Sequence, residues 1–175
     1  MTKYMENVTV RKSWGFIDDD GIYNSMVLLK ECDKPLRARS EMLIIKGRSL
    51  FMELNNDKYR LPGGTWDENE DPEHSAVRET KEEVRINVKN VKYCGCYADI
   101  GDVSSWMYEK IRKENWWYGK YSEVFVGEYD GKYRGYIAEE DKDNMYKKGK
   151  FYPINIIYER LKPIHKKAID TIFSQ

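Results

Sequence analysis

Little in this sequence could staple, anchor or polarise it. Three cysteines, Cys32, Cys94 and Cys96, occur in 175 residues, an odd count too sparse for a disulfide framework, so reduced thiols are expected. No apolar run is longer than Met42, Leu43, Ile44 and Ile45, whereas a membrane-spanning helix takes about 20 such residues. The first ten positions mix Lys3, Glu6 and Asn7 with no continuous apolar stretch. No secretory signal is expected there, and a cytoplasmic location follows as the default. Net charge is missing too. The 30 basic and 30 acidic side chains cancel, so no overall field draws the chain to anionic lipid or along nucleic acid. Repeats and low-complexity tracts are absent.

What is present suffices for one ordinary core. Apolar residues make up 41% of the chain and aromatics 14%, and the length suits a single domain over residues 1–175. Residues 1–36 hold β-prone pieces at 8–10 and 26–29, separated by the turn formers Asp18, Asp19, Asp20 and Gly21, which predicts an N-terminal hairpin extension. Residues 39–46 and 49–54 predict a second hairpin about Gly47 and Arg48. Residues 88–100 and 121–129 read as strands, flanking a Trp- and Lys-rich insertion at 102–120. The stretch 154–175 sets Ile157, Leu161, Ile164, Ala168, Ile169 and Ile172 at helical spacing, with Pro163 delaying or bending its start. Strands interleaved with two helices predict an α/β sandwich with a mixed sheet.

A polar loop interrupts the strands, headed by Leu61-Pro62-Gly63-Gly64 and closed by Asp71-Pro72. Asp71 can accept from orphan helix amides, Pro72 suits a first turn, and Glu73 complements the positive dipole end; a helix is predicted over about 72–85. Ala76, Val77, Thr80 and Val84 would face the sheet. Glu79, Glu82 and Glu83 stand at i, i+3 and i+4, so three carboxylates leave the same side of that helix. Like charges so spaced cost a few tenths of a kcal/mol per pair in an isolated helix, and more when partly buried. A hard divalent cation removes the conflict, because Mg²⁺ takes one or two carboxylates together with water and phosphate oxygens. Arg78, four residues before Glu82, can hold that carboxylate in one rotamer before metal arrives. Gly63-Gly64 lets the chain turn back so that a main-chain carbonyl reaches the same ion.

Residues 64–86 resemble the Nudix box: Gly, five residues, Glu, seven residues, then Arg-Glu-aliphatic-any-Glu-Glu-any-Gly-aliphatic. Gly64, Glu70, Arg78, Glu79, Glu82, Glu83 and Ile86 match in register, after a Leu61-Pro62-Gly63 lead common in that family. Six fixed identities at ~7% each would coincide by chance about once in 10⁵ sequences of this length. Two positions depart. Thr80 stands at the aliphatic site, where its methyl can still pack. Arg85 replaces the last Gly, and a Cβ in a left-handed helix end costs about 1 kcal/mol or shifts the turn. The resemblance implies the family's α/β/α sandwich and hydrolysis of nucleoside diphosphates linked to a further moiety. It also implies Mg²⁺ or Mn²⁺ bound by Glu79, Glu82, Glu83 and the Gly64 carbonyl, with Arg78 and Glu70 as orienting partners. One box glutamate could double as the base. Glu139 and Glu140 are the other candidates, since many relatives carry an acid on a loop beyond the box.

Duller readings win elsewhere. Trp106, Trp116, Trp117, Tyr118 and Tyr121 could stack on a base, but such residues more often fill a core or a homodimer interface. Cys94 and Cys96 fall on one side of a strand, yet without a second pair, and with His74 and His165 remote in sequence, they do not suggest zinc. His74 belongs on the helix surface. Lys147, Lys148, Lys150, Lys166 and Lys167 read as solvated faces before anion guides. The expectation is thus a pyrophosphohydrolase acting on a small nucleotide: a nucleotide sugar, a dinucleotide polyphosphate or a nucleoside triphosphate. Two other classes compete. A non-catalytic nucleotide-sensing or protein-binding module has no use for three mutually repelling acids. An RNA 5′-end pyrophosphohydrolase would want a basic groove, which zero net charge counts against.

Overall fold

The computed structural model describes residues 3–55, 58–101, 118–131 and 148–174. Two hairpins open the chain where turn residues demand them. β1 (Lys3–Glu6) precedes β2 (Val10–Ile17) and β3 (Tyr23–Leu29), which are joined where Gly21 adopts φ 77°. Asp18 Oδ1 accepts there from the amides of Asp20 and Ile22 at 2.9 and 3.0 Å. β4 (Leu36–Lys46) and β5 (Ser49–Asn55) form the second hairpin, turning at Gly47 with φ 60°. The short strands β6 (Lys58–Arg60) and β7 (Gly63–Thr65), helix α1 (Pro72–Val84), β8 (Val88–Ile100) and β9 (Gly119–Tyr129) follow. β10 (Lys148–Pro153) runs into a helical turn α2 (Ile154–Ile157), a 3₁₀ turn (Tyr158–Arg160) and α3 (Pro163–Phe173).

β4 organises the sheet. Along one edge it pairs parallel with β9, from Arg37 opposite Lys120 to Ile45 opposite Glu128. Three antiparallel partners share its other edge: β3 at Leu36 and Arg37, β7 from Arg39 to Glu41, and β5 at Ile45 and Lys46. The path runs β1-β8-β9-β4-β3-β2, with β5 carrying β6 and β10. Alternate β4 side chains serve opposite faces, as a strand covered by helices on both sides requires. Met42 and Ile44 pack with Ala76, Val84 and Phe125 beneath α1, whereas Leu43 and Ile45 pack with Ile157, Leu161, Ile164 and Ala168 of the C-terminal helices. This is the predicted α/β/α sandwich with a mixed sheet. The N-terminal hairpin forms as well, but β1 adds an unpredicted strand, pairing with β8 from Lys3 opposite Ile100 to Glu6 opposite Tyr97.

One expectation is made specific and one needs correction. The helical stretch expected over 154–175, with its start delayed or bent at Pro163, is divided there, because proline lacks an N–H and drives the residue before it out of the helical region. Leu161 is extended with ψ 150°, and α3 starts afresh with Pro163 in its first turn. Cys94 and Cys96 do not share a side. The register slips between Tyr93 and Gly95, with Gly95 at φ 134°. This bulge turns Cys94 to the core that holds Tyr97 and Cys96 to the one that holds Ala98. Tyr121 is core, whereas Tyr118 is exposed beneath Lys34, whose Nζ lies 3.9 Å from the ring centroid. Trp106, Trp116, Trp117 and Lys147 lie outside the described residues. Among the described residues no helix is long and apolar enough to cross a membrane.

A charged knot sits within the C-terminal core. Glu41, 4% exposed, accepts from the Tyr97 hydroxyl and meets Nε2 of His165 at 3.0 Å. Burial alone would raise its carboxyl, but the hydrogen bond and charge of His165, backed by Arg39 and Lys120, hold it well below the usual range. Removing one partner of a buried pair strands the other charge. His165→Ala should therefore cost about 3 kcal/mol, read in a melting curve as a fall in Tm of roughly 10 °C. An unchanged Tm would show that Glu41 is satisfied without the imidazole.

Candidate active site

Local side chains start and stop α1. Asp71 Oδ1 accepts from the Glu73 amide at 2.8 Å, and Pro72 opens the first turn. At the far end Arg85 itself takes the left-handed conformation, φ 59° and ψ 35°, and its amide donates to the Lys81 carbonyl at 3.2 Å. The helix therefore ends at Val84 without a shifted turn, and the fold carries the cost of that Cβ, about 1 kcal/mol. Ala76, Thr80 and Val84 are buried as expected, with Ser75 beside them. Thr80 Oγ1 donates to the Ala76 carbonyl at 2.8 Å, so the hydroxyl at an otherwise aliphatic position is satisfied within the helix. His74 is exposed.

Arg78 organises the acidic edge of α1. Its Nε and Nη2 donate to Glu70 Oε2 and Oε1 at 2.7 and 2.9 Å, a two-pronged clasp. Nη1 donates to Glu79 Oε1 and Glu82 Oε2, both at 3.0 Å, and Nη2 reaches the Thr65 carbonyl at 3.3 Å. One guanidinium so ties the loop to three acids. The clasp from Arg78 is the main reason that the Glu70 carboxyl sits low, at about 2. Glu79 moves the other way: burial, then the charge of Glu83, lift its carboxyl to about 7 against the pull of Arg78.

The loop meets the helix because β7 crosses the middle of β4. Gly63 and Gly64 lie opposite Glu41 and Ser40. Neither glycine has a positive φ, so the expected turned-back backbone is not what requires them. Space is. A Cβ on Gly63 would stand 2.3 Å from the Ser40 carbonyl oxygen, and one on Gly64 would stand 2.3 Å from Glu79 Cδ. The Glu79 carboxylate rests directly on the Gly64 backbone. Ser40 Oγ donates to the Pro72 carbonyl at 2.7 Å and accepts from Trp66 Nε1 at 2.8 Å, which locks strand, loop and helix start together.

Gly64, Glu79, Arg78 and Glu70 thus form a continuous chain of contacts. Glu82 joins through Arg78 with its side chain 61% exposed, and Glu83 joins through its charge on Glu79. Glu139 and Glu140 lie outside the described residues. Among the described residues no three His, Cys, Asp or Glu side chains converge as a ready-made cage; Mg²⁺ sites commonly finish their shells with water and phosphate. Sequence reasoning missed Arg39, 6% exposed. Burial opposes its charge, but Glu41, Tyr97, Glu83 and Glu53 outweigh that and raise its pKa. The available signal was a run of charged and polar residues, Arg37, Arg39, Ser40 and Glu41, leading into the apolar stretch Met42–Ile45 of one strand. Glu123 on β9 was also missed; burial, then Asp71, lift its carboxyl to about 6.

A family model for the NUDIX domain matches residues 35–172. The chain is 40% identical over 55 residues to the Bacillus subtilis (strain 168) protein named "Putative 8-oxo-dGTP diphosphatase YtkD", a match spanning 31% of this chain and 35% of that one. In structure it is similar to the MutT NUDIX hydrolase from Burkholderia pseudomallei, with a TM-score of 0.55 at 14% identity, over 78% of this chain and 97% of that one. A MutT structure from a study of Aliivibrio salmonicida and Vibrio cholerae gives 0.50 at 16% identity, over 79% and 96%. At such identities these two structures speak to the fold alone.

The raised Glu79 carboxyl makes folding take up a proton. Its stabilising share is full below the ordinary value of 4.5 and is lost as pH climbs through about 7. Across that window the metal-free protein should lose Tm relative to Glu79→Gln, which carries no charge to repel Glu83. Added Mg²⁺ should restore the wild type at the alkaline end and raise the variant less. Parallel Tm profiles for the two proteins would remove Glu79 as the strained acid.

Proposed function

The chain belongs to the NUDIX family, and we propose that it is a metal-dependent pyrophosphohydrolase cutting a phosphoanhydride bond in a nucleoside diphosphate linked to another group. The observation that carries this reading is the Glu79 carboxylate, laid on the Gly64 backbone and lifted to about 7 by burial and Glu83. A site built for stability alone would not keep two acids in conflict where Arg78 already serves Glu70, Glu79 and Glu82. The donors are hard oxygens and fit Mg²⁺ or Mn²⁺, which Glu79, Glu82, Glu83 and the Gly64 carbonyl would hold. When bound, such an ion neutralises diphosphate charge and lowers the pKa of a coordinated water.

The protein's own share is positioning. Arg78 fixes the rotamers of Glu79 and Glu82, Glu70 fixes Arg78, and the two glycines let loop and helix edge meet. A proton released by the attacking water would pass to one of the box glutamates, or to Glu139 or Glu140. Among small nucleotides, an oxidised purine nucleoside triphosphate is the first to try, because YtkD is named for 8-oxo-dGTP. Nucleotide sugars and dinucleotide polyphosphates offer the same anhydride. We place the activity in the cytoplasm, which suits three free cysteines.

A panel of these substrates with Mg²⁺, scored for released nucleoside monophosphate or phosphate, tests the reading. Glu82→Gln should lose at least about a hundredfold in turnover. Equal rates for both proteins refute the role given to Glu82. Absence of turnover on the whole panel, with Mg²⁺ nonetheless bound, favours a nucleotide-sensing module. Gly64→Ala should stay folded, because its methyl displaces a flexible carboxylate rather than backbone. It should still lose turnover by roughly a hundredfold through misplacement of Glu79; wild-type rates would show that the Glu79 position is not critical.

A further inference from the structure

A second recess lies on the other face of the sheet, away from the acids. It runs between the last turns of α3 and the ends of β4, β8 and β9, with a volume of about 810 Å³, within the usual size of small-molecule sites. Ile45, Val126 and Ala168 belong both to its lining and to the C-terminal core. Glu41 precedes Lys46 by five residues of strand, roughly 17 Å, and α1 packs against the opposite face. The recess is therefore separate from the box glutamates.

Its rim is one-sided in charge. Lys89, Lys92 and Lys167 line it and are all exposed, against the single acid Glu128; Lys46 borders it as well but carries its ammonium over Tyr129 and Phe151 on the α1 face. Glu128 is engaged by Asn90 Nδ2 at 3.0 Å. Lys167 pairs with the partly buried Glu6 at 2.8 Å, whereas Lys89 and Asp130, 4.0 Å apart, form a solvent-facing pair that an incoming anion can displace. Lys92 forms no ion pair with a described residue. In a chain of zero net charge, three lysines around one apolar-floored hollow are a local excess that solvation does not require.

We propose that this recess is a second, non-catalytic site for a phosphorylated aromatic molecule of mononucleotide size, its phosphate among the lysines and its ring on the apolar floor. The bounded volume favours such a ligand over an extended RNA, which would need a continuous basic track. The inference stands independently of the hydrolytic reading.

AMP in EDTA is a suitable probe, since it has no anhydride to cut and no metal to bridge it to the box. Calorimetric titration should give a dissociation constant on the order of 10⁻⁴ M, with hydrogen-exchange protection along residues 88–94 and 166–173. Lys92→Glu should weaken binding roughly tenfold, and the exposed-site plug Thr171→Trp should abolish it, both keeping wild-type turnover on the substrate panel. Glu82→Gln should bind AMP as the wild type does. The proposal is overturned if AMP shows no saturable binding, if Glu82→Gln weakens binding while the groove variants do not, or if a short RNA oligonucleotide binds at these residues far more tightly than AMP.

Discussion

The three-residue pairing of β7 with β4, from Arg39 opposite Thr65 to Glu41 opposite Gly63, is the contact that the rest of the molecule is arranged around. Successive β4 residues at this crossing serve different structures. Ser40 anchors the loop and the start of α1 through Trp66 and Pro72, while Glu41 points to the other face and joins Tyr97 and His165. A slip of one residue would exchange those faces, placing an acid beneath the helix and a hydroxyl opposite the imidazole. β7 begins with two residues lacking Cβ, and they serve different ends: Gly63 lets the strand close on the Ser40 carbonyl, while Gly64 makes room for the Glu79 carboxylate.

Carboxylates in this fold diverge according to what compensates them. Glu41 is fully enclosed and still charged, because His165, Arg39 and Lys120 outweigh its burial. Glu70 is clasped by Arg78 and sits at about 2. Glu79 touches the same guanidinium, yet lies at about 7, since burial and Glu83 exceed what one shared cation can offset. Arg78 is spread over Glu70, Glu79 and Glu82, with Asp67 a further 3.3 Å neighbour. A guanidinium divided among that many acids can set their rotamers without neutralising them all. The residual conflict falls on the acid that rests on the Gly64 backbone, where an added cation would relieve it.

Much of this was legible because it is local. The capping of α1 by Asp71 and Pro72, the Arg78–Glu82 pair and both hairpin turns depend on residues within a few positions of one another. Pro163 announced that the C-terminal helical stretch would start late or bend, and α3 begins at that residue. What escaped depends on distance or register. Glu41 and His165 are 124 positions apart, and a histidine within an apolar helical face carries no mark of its partner. The bulge at Gly95 reverses the faces of Cys94 and Cys96, which strict alternation cannot anticipate. Gly63 and Gly64 were correctly singled out for the wrong reason: a sequence shows that a Cβ is unwelcome, not whether torsion or crowding excludes it.

Charge balance misleads in the same way. A total of zero describes the field seen from afar, but charges are screened beyond about 8 Å at physiological ionic strength, so an approaching ligand meets only the local arrangement. Along β4 that arrangement is polar: box acids gather where β7 crosses the strand, and lysines gather about its far end on the opposite face. An anion can dwell among the acids only with a cation to mediate, whereas the lysine-rimmed end needs none. On the two proposals, a protein of no net charge would present two surfaces to phosphate, one conditional on metal and the other unconditional. Summing the side chains erases that difference, and locating them on the strand restores it.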